Sequence, residues 1–203
     1  MVSVRIYVEG GGKNHDTLAR CRQGFHGFFG KFVSAGRQPK VIACGDRGTT
    51  FDRFRTALSE YQDAFVILLV DSERSIAPGV APWMHLKMRD GWDQPAGATD
   101  DQAHLMVQCM EAWFLADKDV VADYYGEGFN PNTLPGQQDI EQIDKGDVVR
   151  ALENATRNTR TKGQYHKTRH GFELLARIDP AKVRQSSRHA DHLCQVLLQQ
   201  TAG

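Results

Sequence analysis

The chain has 203 residues, 40% of them hydrophobic, and its 25 Lys plus Arg are balanced by 25 Asp plus Glu. That length and apolar content favour one domain with a real core. They exclude a broadly disordered chain, and zero net charge excludes a uniformly basic nucleic-acid coat or a uniformly acidic tail. The balance is a cancellation of blocks: residues 1–59 carry 10 basic and 4 acidic side chains, residues 60–153 carry 6 and 18, and residues 154–203 carry 9 and 3.

Val2 to Val8 is rich in β-branched residues, with Val4, Ile6 and Val8 on one face, and reads as a strand ending in Glu9 and the glycines Gly10, Gly11 and Gly12. Leu18, Cys21, Phe25, Phe28 and Phe32 follow at helical spacing, a pattern that Gly24, Gly27 and Gly30 weaken. Lys40 to Cys44 reads as a second strand, and Phe51, Phe54, Leu58 and Tyr61 as a helix capped by Thr50. Phe65 to Val70 is an unbroken apolar run, the mark of a strand buried on both faces, and it ends in Asp71-Ser72-Glu73.

The β-α-β-α-β order predicts parallel strands with helical crossovers. Pro78, Gly79, Pro82, Gly91, Pro95 and Gly97 then punctuate residues 74–101, which are expected to form a long loop insertion. A fourth strand over His104 to Cys109 and a helix over Met110 to Tyr125 follow. After a loop at 126–136, three closing helices are expected at Asp147 to Arg157, Gly171 to Ile178 and Ala190 to Gln199. The expected whole is a single α/β domain over 1–203. Residues 1–125 form a core with a small parallel sheet of about four strands flanked by helices, and residues 126–203 form a helical C-terminal extension packed on it.

The longest apolar run, Ala64 to Val70, falls far short of the roughly 20 residues a membrane span needs. No basic region followed by a long apolar stretch opens the chain, so no signal peptide is expected. Cys21, Cys44, Cys109 and Cys194 make no C-x-x-C pair, which predicts free thiols in a cytoplasmic protein.

In open parallel sheets, ligands bind beyond the C-terminal ends of the strands. Glu9 ends the first strand; Asp71 and Glu73 end the third, and both can point the same way if extended geometry continues through them. Crowded carboxylates repel one another unless a cation sits between them, and hard oxygen ligands suit Mg²⁺ or Mn²⁺. Glu111, directly after the fourth strand, is a further candidate ligand. Asp117 points elsewhere on a helix and is expected to cap the next segment. The alternative is that acidic residues simply end strands at the surface.

Gly10-Gly11-Gly12-Lys13 fails as a Walker loop, because Tyr7 and Asn14 stand where glycine and Ser or Thr are required. It fails equally as a dinucleotide fingerprint. The glycines either admit a phosphate backbone to the amides of the following helix or make a tight turn. Arg157, Arg160, Lys162, Lys167 and Arg169, interleaved with Tyr165, His166 and His170, suit phosphate contacts with base stacking, or else a solvated helix end or a partner-facing loop.

Four segments carry a resemblance: V-E-G-G-G-K, L-V-D-S-E, M-V-Q-C-M-E-A-W-F-L-A-D, and Y-H-K-T-R-H-G-F-E-L-L-A before I-D-P-A-K-V. With these the chain resembles an uncharacterised bacterial family, domain-of-unknown-function family 4276, which looks like a minimal Toprim (topoisomerase-primase) domain. The resemblance implies a four-stranded parallel sheet, with a glutamate after the first strand and a D-x-D pair after the third. These bind Mg²⁺ and act on phosphodiesters. Glu9 and Asp71 match that pattern; Glu73 stands where the second aspartate is usual and lengthens that arm by one methylene.

The expectation is a metal-dependent nuclease acting on DNA or RNA. Asp71, Glu73 and Glu111 hold Mg²⁺ or Mn²⁺, and Glu9 acts as ligand or general acid/base. Gly10, Gly11, Gly12, Lys13, Arg160, Lys162, Lys167 and Arg169 meet the phosphate backbone. A partner ATPase gates the activity in a phage-defence or mobile-element setting. Two alternatives stand beside it. One is a non-catalytic nucleic-acid- or ATPase-binding module that keeps a Toprim-like shell, favoured by the D-x-E departure. The other is a nucleotide phosphohydrolase.

Overall fold

The computed structural model describes residues 3–202, so Val2 of the expected first strand lies outside the described residues. Four parallel strands, β1 (Ser3–Glu9), β2 (Lys40–Gly45), β3 (Ala64–Asp71) and β4 (Ala103–Met106), form one sheet in the order β2-β1-β3-β4. Among the described residues eight α-helices surround it: α1 (His15–Phe29), α2 (Arg47–Glu60), α3 (Pro82–Asp90), α4 (Lys118–Tyr125), α5 (Lys145–Thr156), α6 (Lys167–Arg177), α7 (Pro180–Ser186) and α8 (Arg188–Thr201). From β1 the chain winds outward to β2, then returns to the other side for β3. The crevice beyond the ends of β1 and β3 is therefore the topological switch point of the sheet.

Alternation along the strands divides the core in two. Val4, Ile6, Val8, Ile67 and Leu69 face a large layer built from α1, the segment 109–115, and the C-terminal helices. Tyr7, Val66, Leu68 and Val70 face a smaller layer with Phe51, Phe54, Trp83 and Leu86. Burial on both faces explains why β3 reads as one apolar run.

Several elements differ from the sequence expectation: β4 ends at Met106 and not at Cys109, and α7 adds a fourth closing helix to the three expected. Thr50 does not cap α2; Asp46 does, accepting the Thr49 amide at 2.9 Å, while the buried Thr50 hydroxyl donates to the Asp46 carbonyl at 2.7 Å. The 74–101 insertion is not a structureless loop. It holds α3, whose Pro82 sits at the first turn and whose Gly91 ends it in the left-handed region at φ 73°. The expected helix over Met110 to Tyr125 is broken: a 3-10 helix runs Met110–Ala116, and α4 begins at Lys118. Asp117 between them stands at the N-cap position of α4, as expected, but its side chain accepts no amide of that helix. Its buried carboxylate instead accepts the Asp179 amide at 2.9 Å and the Lys182 ammonium at 2.6 Å, pinning the start of α7.

The glycines of α1 have a packing role. A Cβ at Gly24 would lie 2.7 Å from the Phe172 carbonyl, and one at Gly27 would lie 2.9 Å from the Ala176 Cβ. The propensity loss at these positions admits α6 at close range. The start of α8 is also fixed from outside. The buried Glu141 carboxylate accepts the Ser187 hydroxyl at 2.6 Å and the His189 amide at 2.9 Å, and pairs with the His189 ring at 2.9 Å.

Candidate active site

Glu9 and Asp71 end neighbouring strands, as their sequence positions require, and the Asp71 amide lies 3.3 Å from Glu9 Oε2. They line a cleft of about 190 Å³ with Gly10, Gly11, Gly12, Gly45, Glu73, Met110, Lys145, Lys167, Thr168 and Phe172. Asp71 is the innermost carboxylate, 4% exposed. Its Oδ1 accepts the Met110 amide at 2.9 Å; its Oδ2 faces Lys145 at 3.4 Å and Lys167 at 3.8 Å. Burial pushes its carboxyl up to about 7 against the pull of Lys167 and Lys145, with the Glu111 and Glu9 charges adding to the rise.

Glu73 reaches the same cleft by another route than the expected one. Extended geometry does not continue through it: Glu73 adopts φ 65°, and its amide donates to the Gln108 carbonyl at 2.8 Å. Lys145 Nζ bonds Glu73 Oε1 at 2.6 Å and so spans Asp71 and Glu73. Burial raises the Glu73 carboxyl, but the Lys145 hydrogen bond and charge outweigh it and hold the group below the usual glutamate range.

Glu111 is fully buried and does not line the cleft. It sits behind Asp71, where Lys167 Nζ approaches Oε1 at 3.1 Å and the Tyr165 hydroxyl donates to the same oxygen at 3.4 Å. Lys167 therefore ties the front carboxylate to the rear one.

The glycine turn serves the cleft through its shape. Gly10 exchanges two backbone hydrogen bonds with Gly45, at 2.9 and 3.1 Å, closing the ends of β1 and β2. A Cβ at Gly45 would fall 2.4 Å from the Gly12 carbonyl oxygen, so the turn requires glycine there for contact as well as for its φ of 87°. Lys13 is exposed and outside the cleft lining.

Of the expected basic clamp, the structure brings only Lys167 to the cleft. Arg160 pairs with Glu127 at 3.1 Å on the surface, and Lys162 lies 3.9 Å from Glu173 and over the Tyr124 ring. Arg169 is exposed and does not line the cleft. The physical reason is that Arg160 and Lys162 lie on the loop between α5 and α6, where surface acids hold them, while Lys167 and Arg169 open α6 about 200° apart around its axis.

Sequence reasoning missed two cations. Arg47 opens α2 directly after β2; its Nη1 bonds Glu9 Oε2 at 3.0 Å, and its Nε and Nη2 grip Asp90 of α3 at 2.9 and 2.8 Å. The strand-end rule that selected Glu9 also covers Arg47. Lys145 is placed by α5, whose first amide meets the Gln108 side chain at 3.3 Å, and no local pattern marks it.

The carboxylates of Glu9, Asp71 and Glu73 suit a hard divalent cation in kind. Among the described residues, no three acidic, His or Cys side chains stand as a ready-made metal cage. Lys145 occupies the space between two of the three, so an ion would enter by displacing it.

Comparison with known families gives a match over residues 8–198 to the model described as "Domain of unknown function (DUF4276)". No curated protein and no solved structure matches the chain.

Proposed function

The chain belongs to the DUF4276 family, and from that premise and the geometry of the cleft we propose a metal-dependent nuclease or related phosphodiesterase. The observation that carries this reading is the buried Asp71 carboxyl at the switch point, flanked by Glu9 and Glu73 and faced by Lys145 and Lys167. Glu9, Asp71 and Glu73 would hold Mg²⁺ or Mn²⁺, which when bound supplies Lewis-acid stabilisation of a phosphoryl oxygen. Glu111 is a counter-charge to Lys167 in this reading, not a ligand.

The chain's own groups do the rest. Arg47 keeps Glu9 oriented toward the cleft, where its carboxylate accepts the proton of an attacking water. Lys167 and, once released from Asp71, Lys145 place positive charge where phosphoryl oxygens gain negative charge. The Toprim-like assignment and a gating ATPase partner belong to the same reading. So does a cytoplasmic location, which the four free, buried cysteines support; no helix among the described residues is long and apolar enough to cross a membrane.

The test is cleavage of labelled DNA and RNA strands with Mg²⁺ or Mn²⁺. Wild type should cut, and Glu9→Gln and chelator should each abolish cutting; equal cleavage by Glu9→Gln and wild type would remove the proposed chemistry. Lys145 spanning Asp71 and Glu73 favours a second reading, a non-catalytic nucleic-acid- or ATPase-binding module. Titration calorimetry separates the two: no heat with millimolar Mg²⁺ or Mn²⁺, beside retained nucleic-acid binding, selects the module.

A further inference from the structure

A groove of about 600 Å³ wraps the free edge of β2 between α1 and α2. Its lining brings four cations together: Arg5 of β1, Arg22 of α1, Lys40 of β2 and Arg53 of α2. Each cation of the cleft holds a carboxylate, whereas none of these four is ion-paired among the described residues. Asp52 and Glu60 also line the groove, leaving a net excess of two positive charges.

The Arg5 guanidinium lies 3.6 Å over the Tyr61 ring, and its Nε is buried without a hydrogen-bond partner. Register explains the grouping: Arg5 pairs with Lys40 and Tyr7 with Ile42, so these side chains share the face on which α2 packs. Lys40 to Gly45 spans roughly 16 Å of extended strand, and Gly45 is itself part of the cleft wall. The groove therefore follows a strand whose far end is the candidate active site.

We propose that this groove is the track for single-stranded nucleic acid, delivering its phosphodiester backbone to the cleft. Unpaired cations gathered around an edge strand release counterions when they meet phosphates, and a stacked Arg–Tyr pair offers a flat face to an unpaired base. This rests on the phosphodiester reading for its destination, but binding along the groove requires no metal and no chemistry.

The measurement is fluorescence anisotropy in chelator, with the full chain and a labelled single strand of about 15 nucleotides or the corresponding duplex. The variant Arg22→Gln/Lys40→Gln/Arg53→Gln should weaken single-strand binding at least ~10-fold at low salt and reduce the salt slope by about 2. Asp52→Asn/Glu60→Gln should tighten binding, an outcome that loss of folding cannot mimic. Unchanged affinity in the triple variant, or tighter binding of duplex than of single strand, overturns the track.

The two readings fail separately. Wild type that binds but never cuts leaves the groove standing and removes the nuclease. A triple variant that binds normally removes the groove and leaves the cleft untouched; if the groove reading holds, the same variant still hydrolyses bis(p-nitrophenyl) phosphate as wild type does.

Discussion

Asp71 in the cleft and Glu141 beneath α8 are both buried carboxylates, 4% and 3% exposed, yet their environments push them in opposite directions. Burial raises both. At Glu141 the His189 ring, the Ser187 hydroxyl and the His189 amide all bond the anion, and together they hold it below the usual glutamate range. Asp71 accepts one amide, has its two lysines at 3.4 and 3.8 Å, and shares its surroundings with Glu111 and Glu9; its carboxyl is pushed up to about 7. Similar surface exposure thus goes with a structural anion in one region and a reluctant anion in the other. Asp71 lies deeper and faces the like charges of Glu111 and Glu9, while Glu141 gathers more hydrogen bonds to its charged form.

If that contrast is right, the two sites separate activity from stability. Asp71→Asn should lower phosphodiester cleavage by about 10³-fold, roughly 4 kcal/mol of transition-state stabilisation. It should change the unfolding free energy measured in urea by no more than about 1 kcal/mol, because it removes an anion that burial already disfavours. Glu141→Gln should do the reverse. It orphans part of a buried network and should cost about 3 kcal/mol in urea unfolding, while cleavage per folded molecule stays unchanged. Activity loss without destabilisation at Glu141 would break the comparison.

A smaller effect sharpens it by pH. His104 is buried beside the His192 ring, near His189, with its Nε2 on the Asp101 carbonyl at 2.9 Å. Burial, then the neighbouring histidines, press its pKa down to about 3. The unfolded chain therefore takes up this proton first as pH falls below about 6.5, and stability is lost between about 6.5 and about 3. Wild type should lose about 1.4 kcal/mol per pH unit relative to His104→Gln within that window. Parallel denaturation curves for the two proteins from pH 7 to 5 would contradict this.

The smallest effect is expected at the surface. Removing the exposed Arg160–Glu127 pair by Arg160→Ala should change stability by less than about 1 kcal/mol. It should also leave single-strand affinity near wild type, since Arg160 lines neither the cleft nor the groove.

The first three strands were legible because each is an apolar segment that ends in glycine or acid; β4 runs on into apolar Val107, and its expected end at Cys109 overshoots Met106. The placement of Glu9 and Asp71 followed from strand ends alone. The helices α3 and α7 were not, because Pro82 and Pro180 look like loop punctuation, although proline at a first turn also starts helices. Lys145 was illegible for a different reason. It reaches Asp71 from 74 residues away in sequence, and no local pattern records a contact of that range. The basic stretch around Lys167 misled because composition carries no helix phase. Arg157, Arg160 and Lys162 lie before α6 begins and Arg169 points off its other side, so only Lys167 lines the cleft.

One consequence of the strand order concerns the order of synthesis. Glu9, Asp71, Glu73 and Glu111 are translated first, and Lys145 and Lys167, which face the last three, come last. A chain emerging from its N-terminus can pair β1 with β3 and gather its acids with Arg47 alone, of the cations that meet them, already made. The cleft is then a half-built, self-repelling surface until α5 and α6 dock. A product truncated before Lys145 would carry the acids of the cleft without the two lysines that face them, so under the proposed function cleavage would wait until most of the chain has emerged.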